Sequence, residues 1–254
     1  MKSANRTVDN MLGNITAAHR RVKHHNGGQR AIARLAAGAV ALLVATSCAP
    51  APSGPGGGQT SGSARAIYTV AAGAHAASIF GEPAPISAFT VVSQRSFLLS
   101  LNASAVYTLA DTADQLDWNK LPGFSDCGTL DLSQNGAMFG WRWRPDLSPA
   151  RLELAAYANT NGVHQWSPAL ATMSEADLNA PSELKYSVGI DSSNPAQYRF
   201  RIEGFVGSTS IDVSATLARA CPGVGDDGLK WASGLYFGGT SVAPHAVTAT
   251  MREL

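Results

Sequence analysis

From about Ala66 to Leu254 the chain is written in short runs in which apolar and polar residues alternate, separated by clusters of Gly, Pro, Asn and Asp. The runs include Ile67-Tyr-Thr-Val, Ser87-Ala-Phe-Thr-Val-Val, Ser96-Phe-Leu-Leu-Ser-Leu, Ala137-Met-Phe-Gly-Trp-Arg-Trp and Arg151-Leu-Glu-Leu-Ala-Ala-Tyr. Later ones are Leu184-Lys-Tyr-Ser-Val-Gly-Ile, Gln197-Tyr-Arg-Phe-Arg-Ile-Glu, Ser210-Ile-Asp-Val-Ser-Ala-Thr-Leu and Ala246-Val-Thr-Ala-Thr-Met. A period of two sends successive side chains to opposite faces of a strand. Many short strands between turn signals predict an all-β, antiparallel sandwich or barrel. Only two short segments read as helical: Ser174-Glu-Ala-Asp-Leu, capped by Ser174, and Asp111 to Leu116. No repeat of fixed period is visible, which argues against a propeller or solenoid.

The alternation assigns faces. Phe139, Trp141 and Trp143 share one side of their strand, with Arg142 and Arg144 on the other. Leu152 and Leu154 oppose Arg151, Glu153 and Tyr157, and Tyr198, Phe200 and Ile202 oppose Arg199, Arg201 and Glu203. If these strands share a sheet, its outer face carries Arg142, Arg144, Arg151, Glu153, Tyr157, Arg199 and Arg201. Such a face suits an anionic polymer, because guanidinium groups grip carboxylates in a forked geometry. A solvated face with cross-strand ion pairs needs no ligand and explains the same pattern.

The residues before Cys48 follow a different plan. They hold seven of the 19 Lys and Arg but one of the 18 acids, so the rest of the chain is net −5 although the whole is +1. A nucleic-acid binder carries its basic excess on the folded domain. Here the excess lies in the leader, so no nucleic-acid partner is expected. The basic stretch ends at Arg34 and is followed by Leu35-Ala-Ala-Gly-Ala-Val-Ala-Leu-Leu-Val-Ala-Thr46. That run is short for a bilayer span, which needs about 20 residues, and fits the core of a signal peptide over 1–47. After Cys48 the stretch Ala49-Pro-Ala-Pro-Ser-Gly-Pro-Gly-Gly-Gly is Gly-, Pro- and Ser-rich. Residues 48–65 therefore read as a flexible tether and 66–254 as one domain.

Ala45-Thr46-Ser47-Cys48 resembles a bacterial lipobox, although Ala45 stands where that motif usually has Leu. The resemblance implies cleavage before Cys48, lipidation of its thiol and a membrane-anchored protein of the bacterial envelope. The non-acidic Ala49 is the residue type that permits transfer to an outer membrane. With Cys48 lipidated, Cys127 and Cys221 remain as a candidate disulfide in an oxidising compartment. Two separate buried thiols are the alternative.

Trp118-Asn-Lys-Leu-Pro-Gly-Phe-Ser-Asp-Cys-Gly128, Phe139-Gly-Trp-Arg-Trp143 and Tyr236-Phe-Gly-Gly-Thr-Ser-Val-Ala-Pro-His245 resemble segments of uncharacterised secreted bacterial proteins related to concanavalin A-like sandwiches. That resemblance implies a two-sheet jelly-roll-like sandwich and makes contact with a glycan an expectation. It brings no catalytic residues. The tryptophans Trp118, Trp141, Trp143, Trp166 and Trp231 all lie in the folded part. Trp141 and Trp143 alternate with arginines and read as core, whereas Trp118 and Trp166 lie beside turn-like sequence and are the ligand candidates.

The expected ligand set is thus Trp118, Arg142, Arg144, Trp166, Arg199 and Arg201. The primary reading is noncatalytic carbohydrate contact. Two alternatives stand beside it: a polysaccharide lyase or glycoside hydrolase, and an assembly lipoprotein that binds another envelope protein. Lysis would draw on Arg142, Arg144, Tyr157 and His245, and hydrolysis on a carboxylate pair such as Glu153 and Glu203. Gly239-Thr-Ser-Val-Ala-Pro-His245 echoes a subtilisin-type nucleophile motif, but no matching His and Asp segments accompany it. No zinc spacing or phosphate loop is present. Calcium at Asp131 or at Asp226-Asp227 has no ligand pattern behind it, and a polar turn explains both.

Overall fold

The period-two runs become strands of two antiparallel sheets in the computed structural model, which describes residues 65–79, 82–83, 94–221, 230 and 232–254. The leader, Cys48, the tether up to residue 64, the run at 87–92, Asp226-Asp227 and Trp231 lie outside the described residues. In chain order the strands are β1 (Ala66–Val70), β2 (Ala77–Ile79), β3 (Glu82–Pro83), β4 (Gln94–Leu101), β5 (Asn119–Ser125), β6 (Gly136–Arg144) and β7 (Arg151–Thr160). They continue with β8 (Val163–Trp166), β9 (Ala171–Met173), β10 (Leu184–Ile190), β11 (Gln197–Val206), β12 (Thr209–Ala218), β13 (Ala232–Ser233) and β14 (Val247–Glu253). The larger sheet runs β12-β11-β10-β4-β14-β1-β2-β3. The smaller runs β13-β5-β6-β7-β8, with β9 also paired to β7. The fold is a jelly-roll-like β-sandwich.

The core is the interleaving of the two inner faces. Phe97, Tyr186 and Phe200 of the larger sheet meet Phe139 of the smaller, with Phe139 edge-on to Tyr186 at 5.1 Å and to Phe200 at 5.4 Å. Phe97 stacks on Tyr186 at 5.3 Å. Edge-to-face and offset contacts are the favourable arrangements of aromatic quadrupoles. Trp141 and Trp143 are buried in this core, as their alternation with Arg142 and Arg144 requires.

Among the described residues the one α-helix, α1 (Glu175–Asn179), begins where the capping signal places it. The Ser174 hydroxyl accepts from the Asp177 amide while the Asp177 carboxylate accepts from the Ser174 amide. Two otherwise orphaned donors are thereby satisfied. The second segment, expected over Asp111 to Leu116, closes only as a 3-10 turn at Asp114–Leu116.

Two features depart from the sequence reading. Asn119-Lys-Leu-Pro-Gly-Phe-Ser is strand β5, although Pro122-Gly123 punctuates it like a turn. The β5–β6 register shifts between Lys120 and Gly123, so the proline sits at an irregularity where a missing N–H breaks no regular ladder. The outer face of the smaller sheet is also not a plain solvated face. All of β7 between its end residues is buried on both sides, and a second apolar cluster of Trp118, Met138, Ala155 and Tyr157 lies outside the sheet.

Candidate functional site

Arg142, Arg144, Arg151, Glu153 and Tyr157 do share one outer face, that of β6 and β7. Arg199, Arg201 and Glu203 belong to β11, in the other sheet. Both sheets turn their charged alternates outward, so the two sets face away from each other across the sandwich. The seven-residue groove expected from a shared sheet therefore does not exist. Glu153 and Glu203 cannot flank one glycosidic bond, which corrects the hydrolytic pairing. Arg201 is engaged by Asp212 and Glu203, and Glu203 also by Lys185, as a cross-strand network. A shallow polar depression of about 340 Å³ between β10 and β11 includes Arg199.

Other expected site residues prove structural. Glu153 is nearly buried and accepts from Nε and Nη2 of Arg142 at 3.0 and 2.9 Å and from Nη1 of Arg144 at 3.2 Å. Arg144 also forks onto Asp146. Glu153 is thus committed to two guanidinium groups in a structural ion-pair network. His245 uses Nε2 on the Ser104 carbonyl at 2.9 Å and does not line the cleft described below. Ser241 donates to the Asp114 carboxylate, and among the described residues no histidine pairs with it.

The outer face of the smaller sheet holds a cleft of about 840 Å³. Its apolar floor is Met138, Leu132 and the Trp118 ring. The ring lies against Gly140, where an added Cβ would come within 3.0 Å of it. Gly238 is packed on the Trp118 carbonyl and leaves no room for a side chain either. Arg142 covers the ring with its guanidinium carbon 4.1 Å from the centroid. Its Nη1 donates to the Leu116 carbonyl at 2.8 Å. Trp118 and Arg142 are thus stacked, the aromatic face under the cation. Trp118, expected as a ligand candidate, lines the cleft but is 5% exposed.

Two exposed aromatics flank the cleft. Trp166, at the end of β8, is 52% exposed and stacks on Tyr157 at 6.3 Å with 12° between planes. Tyr236 is 41% exposed and stacks on His75 at 5.4 Å. The sequence reading missed Tyr236, and also Asp117, Lys120, Asn159 and His164. Lys120 and Tyr236 lie in two of the quoted resemblance segments, and the fold ties these together. The Lys120 amide donates to the Tyr236 carbonyl at 2.8 Å, the Tyr236 amide donates back at 2.9 Å, and the Gly238 amide donates to Asn119 Oδ1 at 2.7 Å.

The chemistry converges on Lys120 and Tyr157. Lys120 Nζ lies over the Tyr157 ring, 4.0 Å from its centroid, and donates to the Trp118 carbonyl. Burial disfavours the ammonium and lowers the pKa to about 8, against the opposing charge of Asp117. Burial, then Asp117, pushes the Tyr157 hydroxyl up to about 12. Beside them His164 Nδ1 meets Asn159 Oδ1 at 2.5 Å, while Asn159 Nδ2 donates to the Leu132 carbonyl at 2.6 Å. The amide orientation makes Nδ1 the donor and leaves Nε2 for the cleft. Among the described residues, the grouping of metal-ligating types is Asp126, Cys127 and Cys221, where both sulfurs are in a disulfide and the carboxylate is bound by Arg219.

No protein-family model matches the chain, and no curated protein matches it. Among solved structures it is similar to the alginate lyase Aly36B bound to an alginate trisaccharide, at 9% identity over 74% of this chain and 78% of that one, with a TM-score of 0.42. The alginate lyase vAL-1 from Chlorella virus shows 11% identity over 74% and 81% of the two chains, with a TM-score of 0.32. The GH43 protein BlXynB from Bacillus licheniformis shows 12% identity over 63% of this chain and 26% of that chain, with a TM-score of 0.34. At these scores none of them transfers a residue role or a substrate to this chain.

Proposed function

We propose that the chain is an exported, lipid-anchored envelope protein whose sandwich holds a carbohydrate chain in the cleft outside the smaller sheet. The observation that carries this reading is one open cleft of about 840 Å³ that combines two exposed aromatic faces, Trp166 and Tyr236, with inward-facing polar groups. Flat aromatic faces receive the C–H side of a sugar ring, and amide, imidazole and ammonium groups meet its hydroxyls. Two cations, Lys120 and Arg142, line the cleft, and Asp117 is the one carboxylate among the described residues that line it. That balance favours a sugar chain bearing carboxylates.

Trp166→Ala is expected to weaken retention of the full-length protein on the polysaccharide it binds by about tenfold, or about 1–2 kcal/mol, the range of an exposed aromatic anchor. Affinity electrophoresis and quenching of tryptophan fluorescence read it. Arg199→Ala, on the opposite sheet, should leave retention unchanged. Retention that follows Arg199 and ignores Trp166 would move the site to the larger sheet.

The address rests on the basic leader, the apolar run and Cys48, and the Gly- and Pro-rich stretch at 48–65 would hold the domain clear of the membrane. Cys48→Ser should abolish incorporation of a clickable palmitate analogue and shift the protein from the membrane to the soluble fraction. Unchanged labelling would remove the lipid anchor and leave the cleft reading intact. The assembly-lipoprotein alternative has no specific surface feature in its favour.

A further inference from the structure

We propose that Lys120 and Tyr157 are catalytic residues, a base and an acid that cleave a uronate-containing polysaccharide by β-elimination in the cleft. The inference rests on the carbohydrate reading of that cleft and goes beyond binding. Its basis is the placement of an amine and a phenol against one another inside an aromatic-walled groove, with Nζ 4.0 Å from the Tyr157 centroid and both side chains lining the cavity. Hydrolysis has no such basis there. Among the described residues Asp117 is the one carboxylate lining the cleft, whereas hydrolysis needs two carboxyl groups flanking the bond.

The division of labour follows from the environments. An amine lowered toward neutrality is a base at mildly alkaline pH, while a phenol pushed upward keeps its proton and can give it away. The Lys120 lone pair takes the proton from C5 of the uronate. The C5–H electron pair becomes the C4=C5 double bond, and the C4–O bond breaks. The leaving oxygen takes the Tyr157 proton. The Lys120 ammonium then returns a proton to the phenolate, directly or through solvent, and both groups are restored. One chain becomes two, with no water consumed and no oxidant required. The C5 proton is acidic enough only when the adjoining carboxylate is neutralised. The Arg142 guanidinium supplies that charge, while His164, with Nδ1 anchored on Asn159, leaves Nε2 to accept from a sugar hydroxyl. Among the described residues lining the cleft, the other ionisable groups are Asp117 on the segment before β5 and Tyr236 on the facing segment.

The test incubates the full-length protein with polygalacturonate, alginate and hyaluronan, and with neutral xylan as control. It records retention, chain length and the ultraviolet absorbance of the unsaturated uronate end. The expected result is shortening of at least one uronate polymer with new unsaturated ends, and none for xylan. Lys120→Arg and Tyr157→Phe should each slow cleavage by about 10²–10⁴-fold while retention changes by about threefold or less. Lys120→Arg keeps the charge and loses the base, because a guanidinium does not deprotonate at working pH. The kcat/KM profile should climb through a pH of about 8 as Lys120 loses its proton, and fall as Tyr157 ionises near 12. Retention without shortening overturns the inference and leaves the binding reading standing. Shortening that yields saturated ends also overturns it, because that product is hydrolytic. Absence of both retention and shortening, from protein folded by circular dichroism, removes the carbohydrate reading itself.

Discussion

Reduction of the Cys127–Cys221 disulfide is expected to lower stability by about 4–5 kcal/mol without dismantling the native cleft. The bond joins residues 94 apart, with Cα atoms 5.5 Å apart. Cys127 follows β5 of the smaller sheet and Cys221 follows β12 at the edge of the larger, so the bridge staples one sheet to the other. Closing a loop of this length removes entropy from the unfolded chain, and the chain-entropy relation gives about 4–5 kcal/mol. The effect acts mainly on the unfolded state, so the native core stays packed. Urea unfolding with and without reductant, beside a Cys127→Ser/Cys221→Ser double variant, checks it. The midpoint should drop strongly, while near-ultraviolet circular dichroism and ligand retention in the absence of urea stay close to those of the oxidised protein. A shift of less than about 1 kcal/mol would mean that the unfolded chain is already restrained at this corner. A bond of this kind persists in an oxidising compartment, which supports the reading of the leader as an export signal.

What the sequence discloses depends on the range over which each feature is decided. Face assignment is local: Trp141 and Trp143 inward and Arg142 outward follow from a period of two, as do Tyr198 and Phe200 inward and Arg201 outward. Sheet membership is not local. In a sandwich the outward alternates of both sheets read alike, so Arg199 and Arg201 were grouped with Arg142 and Arg144 although β11 and β6 belong to different sheets. The Ser174 cap is a contact within four residues and is legible in the sequence, whereas the reciprocal Asp177 bond is shown by the structure.

The cleft shows the same division. Tyr157, Arg142, Trp118 and Trp166 were named from their residue types, and all four line it. Lys120 is not legible in the same way, because Pro122-Gly123 masks the strand that carries it. Its pKa depends on burial between β5, β7 and a segment more than 100 residues away. His164 and Asn159 sit five residues apart across the β7–β8 hairpin. Their bond was within reach of a hairpin reading, but Val163-His-Gln-Trp has no apolar alternation to announce a strand, and its residues are largely exposed.

At the corner the disulfide occupies, Arg219→Ala is expected to cost about 3–5 kcal/mol, the range for breaking a buried ion pair from one side. The Arg219 and Asp126 side chains are 0% and 2% exposed, with Nε 2.5 Å from Oδ2. Arg219 Nη1 also donates to the carbonyls of Pro195 and Cys221, which ties the end of β12 to the approach to β11. Tyr198 adds a hydroxyl to Asp126 at 3.1 Å, and Lys230 stands 3.7 Å away. Burial works to raise the Asp126 pKa, but the Arg219 hydrogen bond, the Cys127 amide and the two cations outweigh it, and the net direction is down. A carboxyl whose folded pKa is depressed contributes stability above its unfolded value, near 3.8, and loses it as pH falls through the lower folded value. The wild-type protein should therefore weaken on acidification below about pH 4. Arg219→Ala should be destabilised already at neutral pH and show a flatter acid limb, because its Asp126 has lost the partner that depressed it. Urea midpoints at neutral pH and along an acid series separate the two effects. Disulfide and ion pair share one corner, so their losses should not simply add. With the bridge reduced, Arg219→Ala should cost less than it does in the oxidised protein, because reduction loosens the chain ends the guanidinium holds.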